Sequence, residues 1–195
     1  MSNDWVTRQT LLQRAKNPDD HQAWDEFISY YENFIQVLIF KMNYKGQDTD
    51  DLTQVILLNL WRNLATYDKQ KASFRNWMGA VIRNTTYNYY RKQSNIAKRE
   101  KEGMAEFLES MPESDLDELI EREWKTYISE LALKKMKELF SGKAVEVFEL
   151  SLQGISSEEI SERVDLKKDS VYVLKNRVKK KFMEEVRALV AELEY

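Results

Sequence analysis

Apolar residues recur at helical spacing along most of this 195-residue chain, and this periodicity constrains the fold more than any other feature. Strand-like alternation does not persist beyond a few residues, and no internal repeat is visible. Only five glycines and two prolines are present, so few positions would interrupt a helix. Hydrophobic residues make up 43% of the chain, which is enough to build a packed core. The sequence therefore predicts an all-α fold.

Composition divides the predicted helices into two small domains. Residues 1–93 and residues 117–195 both carry apolar residues at helical spacing. Between them, residues 94–116 are mostly polar and acidic and contain the helix breakers Gly103 and Pro112. Little in this stretch could build a core, so we expect an acidic, flexible linker between two helical domains.

Capping signals predict where two helices of the first domain begin. Asn17 followed by Pro18 predicts an N-cap and a first helical position for a helix from about Asp19 to Met42. Asp48 can cap the next helix. That helix is apolar on two sides, with Leu52, Val55 and Ile56 on one and Leu57, Trp61 and Leu64 on the other. Two interpretations stay open: a central core helix, or a partner-binding helix anchored on leucine and tryptophan.

The charges of the chain are segregated along the sequence. The net charge of −3 would ordinarily argue against a nucleic-acid partner. Acids, however, cluster at Glu102, Glu106, Glu109, Glu113, Asp115, Asp117, Glu118, Glu121 and Glu123. Cations cluster at Arg83, Arg91, Lys92, Lys98, Arg99 and Lys101, and again at Lys167, Lys168, Lys175, Arg177, Lys179, Lys180 and Lys181. Two basic patches separated by an acidic connector can still bind nucleic acid.

The first basic patch lies on a predicted helix from Phe74 to Gln93. Its apolar face is predicted at Phe74, Trp77, Met78, Val81, Ile82, Thr85 and Tyr89. The opposite face, without an acid, is predicted at Asn76, Arg83, Asn84, Tyr87, Tyr90 and Arg91. Aromatic rings can stack on bases and amides can read base edges, so this mixture favours single-stranded nucleic acid. Ordinary packing of the tyrosines is the alternative, and we expect Tyr89 to pack.

The second basic patch follows a pattern typical of a helix-turn-helix. Gly154 ends one helix, Ser156 and Glu159 form a capping box, and Asp169 or Ser170 would cap the last helix. The inward residues of that helix are predicted to be Val171, Leu174, Val178 and Phe182. Its outward residues are predicted to be Tyr172, Val173, Lys175, Asn176, Lys179 and Lys180, which would lie in a DNA major groove. A helical bundle that never touches DNA stays open as the alternative.

Several classes of site have no support in the sequence. Cysteine is absent, and we expect the single histidine, His21, which follows Asp19 and Asp20 at a helix start, to be an exposed bystander. We see no glycine-rich phosphate loop and no cluster of metal ligands, so we expect neither an enzyme nor a cofactor or metal site. Because no signal sequence and no long apolar run are visible, we expect a cytoplasmic protein without membrane insertion.

Three segments in this order resemble bacterial RNA polymerase sigma factors of the extracytoplasmic-function (ECF) type. "DDLTQVILLNLWRNLATYD" is similar to the region-two helix that docks on the β′ clamp of the polymerase. "SFRNWMGAVIRNTTYNYYRK" resembles the stretch that melts and reads the promoter −10 element. "GISSEEISERVDLKKDSVYVLKNRVKKKF" is similar to region four, which reads the −35 element. The resemblance covers nearly the whole chain and implies sigma region 2 and region 4 domains.

The resemblance implies a role for specific residues. It implies polymerase binding by Asp51, Leu52, Gln54, Leu57 and Trp61. It implies −10 single-strand binding by Arg83, Asn84, Tyr87, Asn88 and Arg91. It implies −35 duplex binding by Lys168, Ser170, Tyr172, Val173, Asn176, Arg177 and Lys180. Asn88 replaces a more usual acid, and Tyr172, Val173 and Leu174 stand where many members carry serine and arginine, so the promoter sequence is not inferred by analogy.

The implied partners are core RNA polymerase, through its β′ clamp and β flap, and promoter DNA. Free sigma factors of this type are often held by an anti-sigma factor, and no small-molecule substrate is implied. A stand-alone helix-turn-helix regulator is the main alternative, and it predicts a homodimer that binds duplex DNA without polymerase. A helical adaptor would instead bind DNA weakly and without sequence preference.

Overall fold

The computed structural model describes residues 10–42, 49–93 and 112–194. In these ranges the chain forms eight α-helices and no strand, which confirms the predicted all-α fold. In chain order the helices are α1 (Leu11–Ala15), α2 (His21–Lys41), α3 (Thr49–Leu64), α4 (Phe74–Gln93), α5 (Glu113–Leu139), α6 (Ala144–Leu152), α7 (Ser157–Val164) and α8 (Lys168–Glu194). None of the helices described combines the length and the apolar character needed to cross a lipid bilayer.

The start of α2 differs from the sequence prediction. Asp20 is the N-cap, and its carboxylate accepts a hydrogen bond from the backbone N–H of Ala23 at 2.9 Å. Asn17 instead accepts a hydrogen bond from the N–H of Asp19 within the preceding turn, so the predicted Asn17 cap is wrong. Asparagine and aspartate can both cap a helix. The turn that Asn17 stabilises extends to Asp19, so the helix begins only after Asp20. The predicted cap Asp48 lies outside the described residues.

The described residues pack as two compact units. The N-terminal unit contains the chain up to Lys125 together with the terminal turn from Glu192, and the C-terminal unit contains Thr126–Ala191. Most of the predicted linker lies outside the described residues. Its last four residues, 113–116, belong to α5, and Leu116 is buried. The first turns of α5 therefore contribute to the N-terminal unit.

Aromatic rings build the centre of the N-terminal unit. Tyr31 of α2 stacks on Trp124 of α5, with ring centroids 5.8 Å apart. Phe34 meets Trp124 edge-on at 4.9 Å, and Phe74 of α4 meets Tyr31 edge-on at 5.5 Å. Offset and edge-to-face pairs of this kind contribute about 0.5–1.5 kcal/mol each beyond their buried area. The same core brings α2, α4 and α5 together.

A glycine permits the close approach of α4 and α5. A Cβ atom at Gly79 would lie 2.0 Å from Cδ1 of Ile120, far inside van der Waals contact. Ile120 is itself buried, so its side chain has little room to move away. A larger residue at position 79 would therefore separate the two helices.

α3 is a core helix that also carries an exposed apolar strip. Its buried residues are Leu52, Thr53, Ile56, Leu57, Leu60 and Leu64. Val55, Leu58 and Trp61 are exposed, with 41% of the Trp61 side chain accessible. The core-helix interpretation is therefore confirmed for the buried side of α3. Of the predicted outer leucine and tryptophan group, only Trp61 remains exposed.

The two faces of α4 follow the helical pattern with one exception. Phe74, Met78, Ile82 and Thr85 are buried as predicted. Tyr90, predicted on the outward face, is also buried, so that assignment is wrong. Its ring meets that of Tyr89 edge-on at 5.7 Å. The outward face is therefore narrower than the sequence suggested.

The C-terminal unit contains the predicted helix-turn-helix in α7 and α8. Ser156 and Glu159 form the capping box at the start of α7, and Asp165 ends that helix in the left-handed conformation, with φ of 50°. The inward side of α8 is as predicted: Val171 and Val178 are buried, and Leu174 and Phe182 pack against the core. α8 begins at Lys168, where the N–H of Val171 bonds to the carbonyl of Lys167, so the predicted caps Asp169 and Ser170 are wrong.

Candidate nucleic-acid and partner interfaces

A groove lined mainly by uncharged side chains lies between α3 and α4 in the N-terminal unit. Its volume is about 620 Å³, and its lining consists of Val55, Asn59, Asn63, Thr66, Trp77, Val81, Asn84, Thr85, Asn88, Tyr89 and Lys92. We call it the asparagine groove. Four side-chain amides, two rings and one cation line it, and no acid does. Amides both donate and accept hydrogen bonds, so the groove suits a planar group with polar edges, such as a nucleobase.

Hydrogen bonds fix part of the α3 wall of this groove. The side-chain amide of Asn59 donates to the hydroxyl of Thr85 on α4 at 3.1 Å. The amide of Asn63 donates to the carbonyl of Asn59 at 2.7 Å, one turn earlier in α3. Both asparagines are thus held in defined orientations. Sequence reasoning missed them, although their four-residue spacing places them on one face of α3.

The predicted −10 residues form a continuous strip on α4. Asn84 and Asn88 lie one turn apart on the groove side, and both are exposed. Arg83, Tyr87 and Arg91 follow the adjacent row at the same four-residue spacing, with Arg83 and Tyr87 half-buried and Arg91 exposed. The structure therefore brings all five predicted residues to one face of α4.

The predicted polymerase-binding residues are divided between surface and core. Asp51, Gln54 and Trp61 are exposed on α3, whereas Leu52 is fully buried and Leu57 nearly so. A direct contact of Leu52 with a partner is incompatible with this burial, because its side chain fills the core of the unit. Val55 and Leu58 extend the exposed surface beside Trp61. The indole of Trp61 also lies 6.4 Å from the ring of Trp24, which supports it from α2.

The predicted −35 residues are all exposed on α8 in the C-terminal unit. They are Lys168, Ser170, Tyr172, Val173, Asn176, Arg177 and Lys180. Tyr172 and Val173, near the start of α8, are large side chains that are 65% and 61% accessible. The guanidinium of Arg177 lies 5.4 Å from the ring centroid of Phe140, and this cation–π contact orients it.

One carboxylate, Glu158, contacts Lys168, the first of the predicted −35 residues on α8. Glu158, in the first turn of α7, forms an ion pair with Lys168, the first residue of α8, and both side chains are 62% exposed. The hydrogen bond between them lowers the pKa of Glu158 and raises the pKa of Lys168. Both groups are therefore charged at neutral pH, and Lys168 already has a partner.

Metal-binding clusters are absent from the part of the chain that the structure describes. No group of three or more histidine, cysteine or carboxylate side chains there could hold a metal ion. His21 is exposed at the start of α2.

Residues 27–96 match the family model described as sigma-70 region 2. The match covers about a third of the chain, and this segment is similar to sigma-70 region 2. The match begins within α2 and includes α3, the asparagine groove and α4. The resemblance that the sequence indicated is confirmed in this domain. No curated protein matches the chain.

Solved structures also show similarity to this chain. One is described as "Structure of CnrH in complex with the cytosolic domain of CnrY". It is 16% identical, with a TM-score of 0.35, and the match covers 91% of this chain and 96% of that one. A likeness of this degree carries no argument beyond the region 2 match.

Proposed function

We propose that this protein is an ECF-type sigma factor, a dissociable subunit that binds core RNA polymerase and directs it to promoters. The observation that carries the proposal is the asparagine groove beside an acid-free strip of α4 within a sigma-70 region 2 domain. Initiation chemistry belongs to the polymerase, and the sigma factor supplies docking, strand opening and promoter choice. In this role it is not an enzyme and acts where the polymerase acts, in the bacterial cytoplasm.

The asparagine groove would receive a base extruded from the non-template strand at the −10 element. Extrusion costs a few kcal/mol of lost stacking and pairing, which contacts in the groove must offset. Asn84 and Asn88 would read the polar edge of the base, while Trp77 and Tyr89 offer rings for stacking. Arg83, Tyr87 and Arg91 on the adjacent row would hold the flanking strand.

The exposed strip of α3 would dock on the β′ clamp. Asp51, Gln54 and Trp61, together with Val55 and Leu58, combine polar groups with a central tryptophan. Interface hot spots are enriched in tryptophan because its large ring loses much water-exposed area on binding. Leu52 and Leu57 would support this surface from inside the core.

α8 would bind the −35 element in the major groove, with its exposed face toward the bases. Asn176 and Arg177 have the side-chain types that read base edges, whereas Lys168 and Lys180 suit phosphates. In the same proposal, the chain also contacts the β flap of the polymerase. An anti-sigma factor binds the free protein.

The first experiment is co-elution of the purified chain with core RNA polymerase, followed by transcription from a genomic DNA library. Co-elution together with new start sites that share a motif is the expected result. A homodimer that ignores polymerase and yet binds a duplex site would instead establish a stand-alone regulator.

A matched pair of variants tests the asparagine groove. Asn84→Ala should lower promoter opening by roughly 5- to 150-fold, because one good base contact contributes about 1–3 kcal/mol. Asn76→Ala changes the same residue type on α4 outside the groove and should have little effect. Polymerase binding should be equal in both variants. Equal opening by the two variants would count against base recognition in the groove.

A further inference from the structure

Tyr67, in the connection between α3 and α4, is held at its ring, its hydroxyl and its backbone carbonyl. The residue is buried. Its ring meets that of Phe74 edge-on at 5.4 Å and lies at the same distance from the ring of Trp77. Its hydroxyl donates to the carbonyl of Ala72 at 3.2 Å. The connection, residues 65–73, is therefore folded around this one tyrosine.

The restraint on the carbonyl of Tyr67 comes from α1. The ammonium group of Lys16, the C-cap of α1, donates to this carbonyl at 2.7 Å and lies 5.0 Å from the centroid of the Tyr67 ring. Lys16 is half-buried, so the contact is partly shielded from water. A hydrogen bond from a charged donor is stronger than one between neutral groups. Lys16 therefore ties the connection to α1.

α1 is itself fixed within the N-terminal unit. Leu11 and Leu12 are buried, and Arg14 pairs with Glu26 of α2 at 2.9 Å. α1 precedes residues 27–96, so the family match does not cover it. The restraint by Lys16 therefore acts on the matched segment from outside it.

Two residues of the asparagine groove depend on the position of Tyr67. Thr66 precedes Tyr67 in the chain, Trp77 packs against its ring, and both line the groove. A displacement of Tyr67 would move Thr66 directly and would remove one support of the Trp77 ring. Binding sites need their side chains held to within about 0.5 Å of the productive geometry. The contact between Lys16 and Tyr67 is therefore coupled to the shape of the groove.

We propose that Lys16 is a positioning residue for the asparagine groove and determines how sharply the groove discriminates between bases. The inference rests on the proposed function, because the ligand of the groove is the base extruded from the −10 element. In the part of the chain that the structure describes, Lys16 does not line the groove and acts through Tyr67. Loss of its ammonium group should therefore lower base discrimination without lowering polymerase binding.

Hydrogen exchange of the free full-length chain tests the restraint. The amides of Thr66, Tyr67 and Lys71 donate to nearby carbonyls, so their exchange reports opening of the connection. Lys16→Met keeps the length of the side chain but removes the donor, and it should speed this exchange about tenfold. Lys69→Met removes the same charge from the connection itself and should leave the exchange unchanged. Lys16→Arg keeps a cationic donor and should keep the exchange slow.

Promoter opening by the assembled holoenzyme tests the consequence for the groove. The probe is the strongest promoter recovered from the genomic library, prepared with each of the four bases in turn at every −10 position. The base that enters the groove is identified as the one for which Asn84→Ala loses its preference. At that position the preference should fall about fivefold or more in Lys16→Met, the lower end of one base contact. Lys69→Met and Lys16→Arg should both keep the wild-type preference.

Each outcome decides a separate point. Equal exchange in Lys16→Met and the wild type would overturn the restraint, and faster exchange with an unchanged base preference would overturn the positioning role. A loss of opening that is equal for all four bases would also contradict it, because a merely structural role predicts that result. Should Lys16→Met raise exchange throughout the N-terminal unit, Lys16→Gln, with an uncharged polar end, replaces it in both measurements.

Co-elution with core polymerase is measured on the same samples. Without co-elution of the wild type, the proposed function fails and this inference fails with it. Co-elution of both proteins with an unaltered base preference in Lys16→Met removes only the inference.

Discussion

Glu158→Gln is expected to strengthen binding of duplex DNA, because Glu158 forms an ion pair with Lys168, which would otherwise bind a DNA phosphate. The carboxylate pairs with Lys168 at the start of α8, the proposed recognition helix. A phosphate approaching Lys168 must displace Glu158 and also meets its negative charge. Glutamine removes the charge with little change in shape, so Lys168 becomes available.

The size of the effect follows from counterion release. Each phosphate neutralised by a cation changes the slope of log affinity against log salt by about −0.9. One freed lysine should therefore make the slope steeper by about 0.9. Between about 50 and 200 mM salt, the affinity of Glu158→Gln should fall about 3.5-fold more than that of the wild type. Its advantage should accordingly be largest at low salt.

Fluorescence anisotropy of a labelled duplex across a salt series measures both slopes. Glu162→Gln removes an exposed acid one turn later in α7 and is the matched control. In a Lys168→Ala background, Glu158→Gln should lose its effect on the slope, which a double-mutant cycle would show. Equal salt slopes for Glu158→Gln and the wild type would refute the reasoning.

The pair also has a defined dependence on pH. Its hydrogen bond lowers the pKa of Glu158 from the ordinary value of 4.5. Any stability that the pair contributes is therefore complete above that ordinary value and is lost as the pH falls through the lowered pKa. Between about pH 6 and 8 both groups stay charged, so the effect of Glu158→Gln on DNA binding should not vary there.

Three further variants test the polymerase interface, a buried hydrogen bond and a helix cap. Trp61→Ala should weaken association with core polymerase by roughly 2 kcal/mol or more, measured by competition binding, whereas Val37→Ala, an exposed apolar site on α2, should not. Equal affinities would remove Trp61 from the interface. Tyr31→Phe should lower the free energy of unfolding by about 1–3 kcal/mol in urea titrations, because the buried carbonyl of Leu193 loses its donor. Unchanged stability would contradict that bond. Ser156→Ala should cost about 1 kcal/mol on the same scale through loss of the α7 capping box, and no loss would show that the cap contributes nothing.

Local patterns predicted the helices but not every face. Tyr90 lies at the boundary of the apolar stripe of α4, and its burial depends on which neighbouring helix covers that boundary. A helical wheel contains no such information. Thr86 is buried for the same reason, although its hydroxyl would favour the surface. In α3, similarly, packing on α2 and α4 decides which leucines are buried.

The candidate sites show the same limit. The residues of the −10 strip come from one helix, so their spacing alone brought them together. The asparagine groove needs Asn59 and Asn63 from α3 as well, and nothing local relates α3 to α4. The Tyr31–Leu193 hydrogen bond spans 162 residues. Contacts of such separation follow from tertiary packing, which no periodicity within one helix encodes.

The acidic cluster illustrates how packing changes the meaning of a charge run. An acidic linker between two basic patches suggests that its acids cover the patches in cis. Within α5, however, Glu121 pairs with Arg75, and Glu123 lies 3.9 Å from Lys41 of α2. Neither cation belongs to the −10 strip or to the recognition surface. These two acids therefore join α5 to the rest of the N-terminal unit and pair with cations outside the proposed DNA-binding surfaces.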